Sequence, residues 1–137
     1  GVLTSWFLNT ASARQLGLKT TGHASASLGG SPGIGSTNLT LMPSARSLDD
    51  LMADAGSGLV VREMFSPSIN QNTGDFSVGI SGYWFSKGQR DFPVTEVTVA
   101  GNLKDMFRRL IPGSDIEYRS SVCSPSVLID AITIAGR

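Results

Sequence analysis

Few side chains in this sequence are of types suited to bond-making chemistry, and their spacing narrows the choice further. The chain holds one histidine, His23, and one cysteine, Cys123. A zinc hydrolase needs three protein ligands drawn from His, Glu, Asp and Cys, often two of them about one helical turn apart. No His-Glu-x-x-His pattern occurs, so the residues offer no complete catalytic zinc site. His23 could donate one ligand to a shared site, but a lone histidine in a Gly/Ser loop is more often solvated or hydrogen-bonded. Cys123 as a nucleophile would need a base and thiolate stabilisation beside it. No motif ties it to His23, and a small half-buried residue ahead of a strand is the simpler reading.

Two loops imitate ligand sites. Gly30-Ser31-Pro32-Gly33-Ile34-Gly35-Ser36-Thr37 has the end glycines of a Walker A loop, but Ser36 stands where the phosphate-binding lysine belongs. A strand rather than a helix is expected after it, so the helix N-terminus that cradles phosphate is missing as well. The glycines are expected to allow close backbone approach or positive φ. Asn70-Gln71-Asn72-Thr73-Gly74-Asp75 starts like a calcium loop, yet the twelfth position is Ser81 instead of a bidentate glutamate. Asn, Gly and Asp turn chemistry explains the same residues as a tight turn.

These loops must be positioned by a scaffold that the composition describes. At 137 residues the chain fits one domain, residues 1–137. Sixteen glycines and 16% charged residues suit a sheet with many turns better than a helical bundle. Net charge is zero and the only adjacent basic pair is Arg108-Arg109, so the basic stripe of a nucleic-acid binder is missing. Apolar runs such as Val127 to Ile129 are far too short to span a bilayer. A single cysteine forms no internal disulfide, which points to a reducing, cytoplasmic setting. Asn38-Leu39-Thr40 matches a glycosylation sequon that this setting would leave unused. The opening Gly1-Val2-Leu3 runs straight into an apolar stretch without an initiator Met, and reads as part of a longer polypeptide.

The order of elements follows from pattern. Val2 to Leu8 reads as a strand, then a short helix from about Ala11 to Leu16 with Ser12 and Gln15 at capping-box spacing. Gly17 sits where a helix end wants positive φ. From Gly17 to Thr37, 13 of 21 residues are Gly, Ser or Thr and no periodicity is visible, which predicts a long loop. Asn38 to Met42 reads as a short strand. A second helix starts at Ser47 with Asp50 three residues on, carries Leu48, Leu51 and Met52, and ends at Gly56. Strands are expected over Gly58 to Phe65 and from Phe76 to Trp84, where Phe76, Val78, Ile80 and Trp84 share one face. Ser86-Lys87-Gly88-Gln89 turns the chain back through Phe92 to Val99. Asn102 caps a third helix whose apolar face is Leu103, Met106, Phe107 and Leu110, stopped by Pro112-Gly113. Strands near Ile116 to Arg119 and Ser126 to Ile134 close an α+β, β-rich domain. It is expected to be a mixed or antiparallel twisted sheet or partial barrel with about three short helices.

Several stretches together resemble the C-terminal domain of the TldD/PmbA family, in its PmbA (TldE) branch. They are Thr20 to Ala24, Pro32 to Leu39, Asn72 to Ser77, Pro93 to Asn102 and the closing Pro125 to Gly136 segment. The likeness covers nearly the whole chain in the family's order. It implies a cytoplasmic subunit of a zinc metallopeptidase complex that cleaves unfolded peptides and peptide-antibiotic precursors. In that complex a TldD-type partner carries the zinc motif upstream of this domain and adds a cysteine ligand from it. Cys123 lies in Arg-Ser-Ser-Val-Cys-Ser, unlike that Gly-flanked cysteine loop, so the ligand role is not carried onto it.

The resemblance therefore implies the non-catalytic subunit, with zinc in its partner and no cofactor in this chain. Partners would be a TldD-type subunit or further copies of the chain, and peptide substrate, with neither nucleic acid nor membrane contacted directly. The alternative is a non-proteolytic regulatory module acting on a DNA gyrase or toxin–antitoxin pathway; a third is an independent hydrolase using Cys123. His23, Gly33, Gly35 and Asp75 are the candidate interface or cleft-loop residues.

Overall fold

A computed structural model describes residues 2–136. In chain order the helices are α1 (Thr10–Gln15), α2 (Leu48–Ala55) and α3 (Leu103–Arg109). The strands begin with β1 (Ala24–Ser25), β2 (Gly33–Ile34), β3 (Leu39–Thr40), β4 (Ser57–Ile69), β5 (Asp75–Ser86) and β6 (Gln89–Asn102). The short strands β7 (Ile111–Pro112), β8 (Val122–Cys123), β9 (Val127–Leu128) and β10 (Thr133–Ala135) follow. These elements form two compact units. One comprises the chain up to Thr40 with Tyr118–Cys123; the other comprises Leu41–Glu117 with the chain from Ser124 onward.

The larger unit is organised by a four-stranded antiparallel sheet in the order β10-β6-β5-β4. Alternation along β5 separates its two faces. Val78 and Ile80 pack with Val97 and Val99 on one, flanked by Leu59, Val61, Phe76, Val94 and Ile132. Ile80 is fully buried and Val78 is 2% exposed. Burying such side chains contributes about 1.5–3 kcal/mol each. Tyr83 and Phe85, of opposite parity, pack on the other face with Met52, Leu48 and Val60. The sequence pattern identifies the first face; the second emerges only when α2 is placed against it.

Local chemistry explains the boundaries. Lys87 and Gly88 both take positive φ, 51° and 72°, the backbone of the two-residue turn that suits strand twist. Ser47 and Asp50 form a reciprocal capping box, and Gly56 closes α2 at φ 73°. Asn102 caps α3 by accepting the Lys104 N–H. At the other end of the hairpin, Asn70 Oδ1 accepts from the Asn72 and Thr73 N–H groups, the tight turn expected there. Gly82 lets the strands approach: a Cβ there would lie 1.9 Å from the Val60 carbonyl oxygen. Register shifts between Val61 and Glu63 and between Ile80 and Gly82 bracket that point, and such bulges bend a sheet.

Several expectations are corrected. Val2 to Leu8 is not a strand: the Leu8 N–H donates to Thr21 Oγ1, and the Leu8 carbonyl accepts from the Thr21 and His23 N–H groups. A loop serves it in place of a neighbouring strand. The first helix is capped by Asn9, with Ser12 as the reciprocal partner, and it ends at Gln15. The Gly17 to Thr37 loop contains the antiparallel pair β1–β2, registered Ala24 to Ile34 and Ser25 to Gly33. Phe107 is 65% exposed because it lies at the margin of the α3 stripe, whose buried member is Met106. Ile116 to Arg119 forms no strand; the ladder at this end runs between β7 and β9 instead. The last expected strand is divided into β9 and β10, with Ala131 between them at φ 48°.

Candidate functional site

The smaller unit is built around Asn9, which is 6% exposed. Its Oδ1 accepts the Ser12 N–H at 2.8 Å, and its own N–H donates to Ser12 Oγ at 3.1 Å. Its Nδ2 donates to the Pro32 and Gly33 carbonyls at 3.0 and 3.1 Å. One amide thus caps α1 and fixes the strand that carries the glycines. Asparagine suits this place because aspartate lacks the Nδ2 donors.

His23, Gly33 and Gly35 come together on this support. The Gly35 N–H donates to the His23 carbonyl at 3.2 Å, and Gly33 pairs with Ser25. The His23 ring stacks on Phe7 with centroids 4.5 Å apart, and its Nδ1 lies 2.9 Å from Thr21 Oγ1. Nε2 has no hydrogen-bond partner among the described residues. Positive φ falls at Gly22 and Gly29, not at Gly33 or Gly35. Gly35 instead permits a close pass, since a Cβ would meet Ser25 Cβ at 3.3 Å.

Asp75 belongs to the larger unit, in the turn from β4 to β5. Its carboxylate accepts from Thr73 Oγ1 at 2.7 Å and from Asn102 Nδ2 at 3.1 Å. The Thr73 hydroxyl, then Asn102, then the charge of Lys104 stabilise the ionised carboxylate and hold its pKa below the ordinary aspartate value. Asn102 also donates to the Thr73 carbonyl, so Asp75 fastens the turn to the start of α3. Cys123 is 7% exposed, and its thiol donates to the Ser120 carbonyl at 3.0 Å. It lies within β8, paired in parallel with β3.

By fold, then, the chain is an α+β protein with a bulged antiparallel sheet and a small glycine-rich unit. It belongs to the family of the PmbA/TldA metallopeptidase C-terminal domain, whose model matches residues 1–136. It is 41% identical to Metalloprotease PmbA of Escherichia coli O157:H7 over 138 residues, covering 100% of this chain and 29% of that protein. A PmbA homolog of Haemophilus influenzae is 34% identical over 99% of this chain and 29% of its own length. The chain thus spans under a third of the curated relatives it matches. A Thermotoga maritima protein described as a modulator of DNA gyrase superposes with a TM-score of 0.86 at 31% identity, covering 98% of this chain and 31% of its own. TldE of Thermococcus kodakarensis shares the fold, with a TM-score of 0.78 at 20% identity over 90% of this chain and 29% of its own.

Among the described residues, no three His, Cys, Asp or Glu side chains are grouped to hold a metal ion. By themselves the described residues therefore do not make a complete site for the metal that the family name implies. Sequence reasoning missed Asn9. Its position ahead of the Thr10 helix was the available signal, but its second task, holding Pro32 and Gly33 more than twenty residues away, leaves no local pattern.

Proposed function

We propose that this chain is the C-terminal domain of a longer, PmbA/TldE-type subunit in a cytoplasmic zinc peptidase complex. In this reading the subunit is non-catalytic, and a TldD-type partner holds the zinc and cleaves unfolded peptides and peptide-antibiotic precursors. The observation that carries it is the family match over residues 1–136, joined to 41% identity with a PmbA protein. The buried thiol of Cys123, committed to a carbonyl, supports a packing role for that residue. The loop holding His23, Gly33 and Gly35, together with Asp75, is assigned to the subunit interface or the wall of the substrate cleft.

The test is reconstitution of the full-length subunit with a TldD-type subunit, followed by peptide cleavage with and without chelator. Chelator-sensitive cleavage by the pair, and none by this subunit alone, is expected. Cleavage by this subunit alone would overturn the non-catalytic assignment. A pair that cleaves nothing would favour the regulatory reading that the description of the Thermotoga relative carries.

A further inference from the structure

Tyr83 lies on the central strand of the sheet and is 8% exposed. The Arg90 guanidinium stands 4.0 Å from its ring centroid and that of Arg62 stands 5.6 Å away. Both arginines are exposed. Each comes from an irregular stretch of a strand flanking Tyr83. Arg62 is the extra residue between the Val61 and Glu63 pairings, and Arg90, paired with Phe85, precedes a second register shift that ends where Pro93 pairs with Tyr83. Bulges re-aim side chains, and the one at Arg62 brings a second cation to the ring that Arg90 approaches.

The charges are not balanced locally. Neither guanidinium has a carboxylate within 4.0 Å among the described residues, and the Tyr83 hydroxyl has no hydrogen-bond partner there. The adjacent acids are engaged elsewhere: Glu63 accepts from Ser81 and Asp91 from Ser86. On α2, Asp54 is paired with Arg46, Asp50 is held in its capping box, and Asp49 forms no ion pair with either guanidinium. A cation held over the ring face loses little of its hydrogen-bonding capacity, because the N–H groups of a guanidinium lie along its edges. Two guanidiniums thus lie over one phenol ring with no carboxylate within 4.0 Å of either among the described residues.

We propose that Arg62, Tyr83 and Arg90 bind the carboxylate of a peptide. The choice of a peptide as its bearer rests on the peptidase reading above. Charge-assisted bonds from a planar guanidinium match a carboxylate, and the phenol adds a neutral donor. The carboxylate could be a chain terminus or an acidic side chain, so the probes must separate them.

Ligand-observed NMR on the full-length subunit would use three N-acetyl pentapeptides: alanine with a free C-terminus, the same peptide amidated, and an amidated peptide with one internal Glu. The free acid or the Glu peptide should bind and the neutral amide should not. A free-acid response identifies the terminus, and a Glu-peptide response identifies a side chain. R62Q and R90Q should each weaken binding roughly fivefold, as for a solvent-screened pair. Arg90→Lys should recover part of the loss, and Tyr83→Phe should weaken binding less than either glutamine variant. Equal affinity for all three peptides, or full binding by the double glutamine variant, would overturn the site. Because binding is read without turnover, lost cleavage with retained binding would count against the peptidase reading alone. Retained cleavage without carboxylate binding would count against this site alone.

Discussion

Two glycines on β5 separate close packing from simple composition. Gly79 and Gly82 both face neighbouring backbone, and neither has positive φ. An alanine Cβ at position 79 would lie 3.5 Å from the Phe65 carbonyl oxygen, an ordinary contact. At position 82 it would lie 1.9 Å from the Val60 carbonyl oxygen, 3.0 Å from the Val60 carbonyl carbon and 3.2 Å from Val61 Cα. All three are backbone atoms, so no rotamer change relieves the clash. Strand β4 must move away by more than 1 Å, roughly, to restore contact distance. That strains the pairings of Val60 with Tyr83 and Val61 with Gly82. Overpacking costs about 1–3 kcal/mol and each weakened ladder bond about 1 kcal/mol, so Gly82→Ala should lose roughly 3–4 kcal/mol. Gly79→Ala should lose under about 1 kcal/mol. Urea unfolding followed by tryptophan fluorescence, with Trp84 in the same strand, should show the Gly82→Ala midpoint lowered by roughly 1–2 M. Equal midpoints for the two variants would refute the argument that backbone approach at Gly82 shapes the sheet.

Asn9→Ala should cost roughly 2–3 kcal/mol, since it removes a helix cap and two bonds to loop carbonyls; Asn9→Asp, which keeps the cap alone, should remain destabilised in the same unfolding assay. Cys123→Ser should leave cleavage by the reconstituted pair intact and cost at most about 1 kcal/mol, because serine can still donate to the Ser120 carbonyl. The Ser126 hydroxyl lowers the pKa of Asp115 below the ordinary 3.8. Its stabilisation is therefore present above that value and lost as pH falls through the lower folded-state value, and Asp115→Asn should reduce this acid sensitivity in a pH-dependent melting series. Amides from Gly17 to Thr37 should exchange quickly in the separate chain and slowly in the assembled complex; equal protection would show that the chain orders this loop unaided.

How far the sequence discloses this molecule depends on the range of the interaction. Ser47 and Asp50, Lys87 and Gly88, and Asn102 act within a few residues, so their caps and turn are readable from spacing. Val78 and Ile80 are readable because alternation along one strand suffices to mark a face. Tyr83 and Phe85 escape that pattern, since their burial depends on α2, thirty residues earlier. Val2 to Leu8 fails for the opposite reason: its composition suits a strand, but its terminal backbone groups are taken by Thr20, Thr21 and His23. The likeness between the family and the Thr20 and Pro32 stretches falls on the loop whose carbonyls Asn9 holds. It gives no hint that Asn9 joins it to a helix.

The smaller unit has an energetic shortfall of its own. Its buried apolar residues are Leu8, Ala13 and Cys123, whereas Val2, Trp6, Leu16, Leu18 and Leu28 are all more than half exposed. Ordering a residue costs about 1–2 kcal/mol of backbone entropy, and an average hydrogen bond returns about 1 kcal/mol net. The bonds of Asn9, Thr20 and Thr21 fix geometry, but bonds of that strength cannot by themselves offset the ordering of a forty-residue segment this rich in Gly and Ser. Apolar burial normally makes up such a difference, and the side chains able to supply it here point outward. The reading of this chain as under a third of a longer subunit gives those side chains a surface to meet. In that reading the glycine-rich loop is shaped by its own hydrogen bonds and stabilised by contacts from the rest of the assembly.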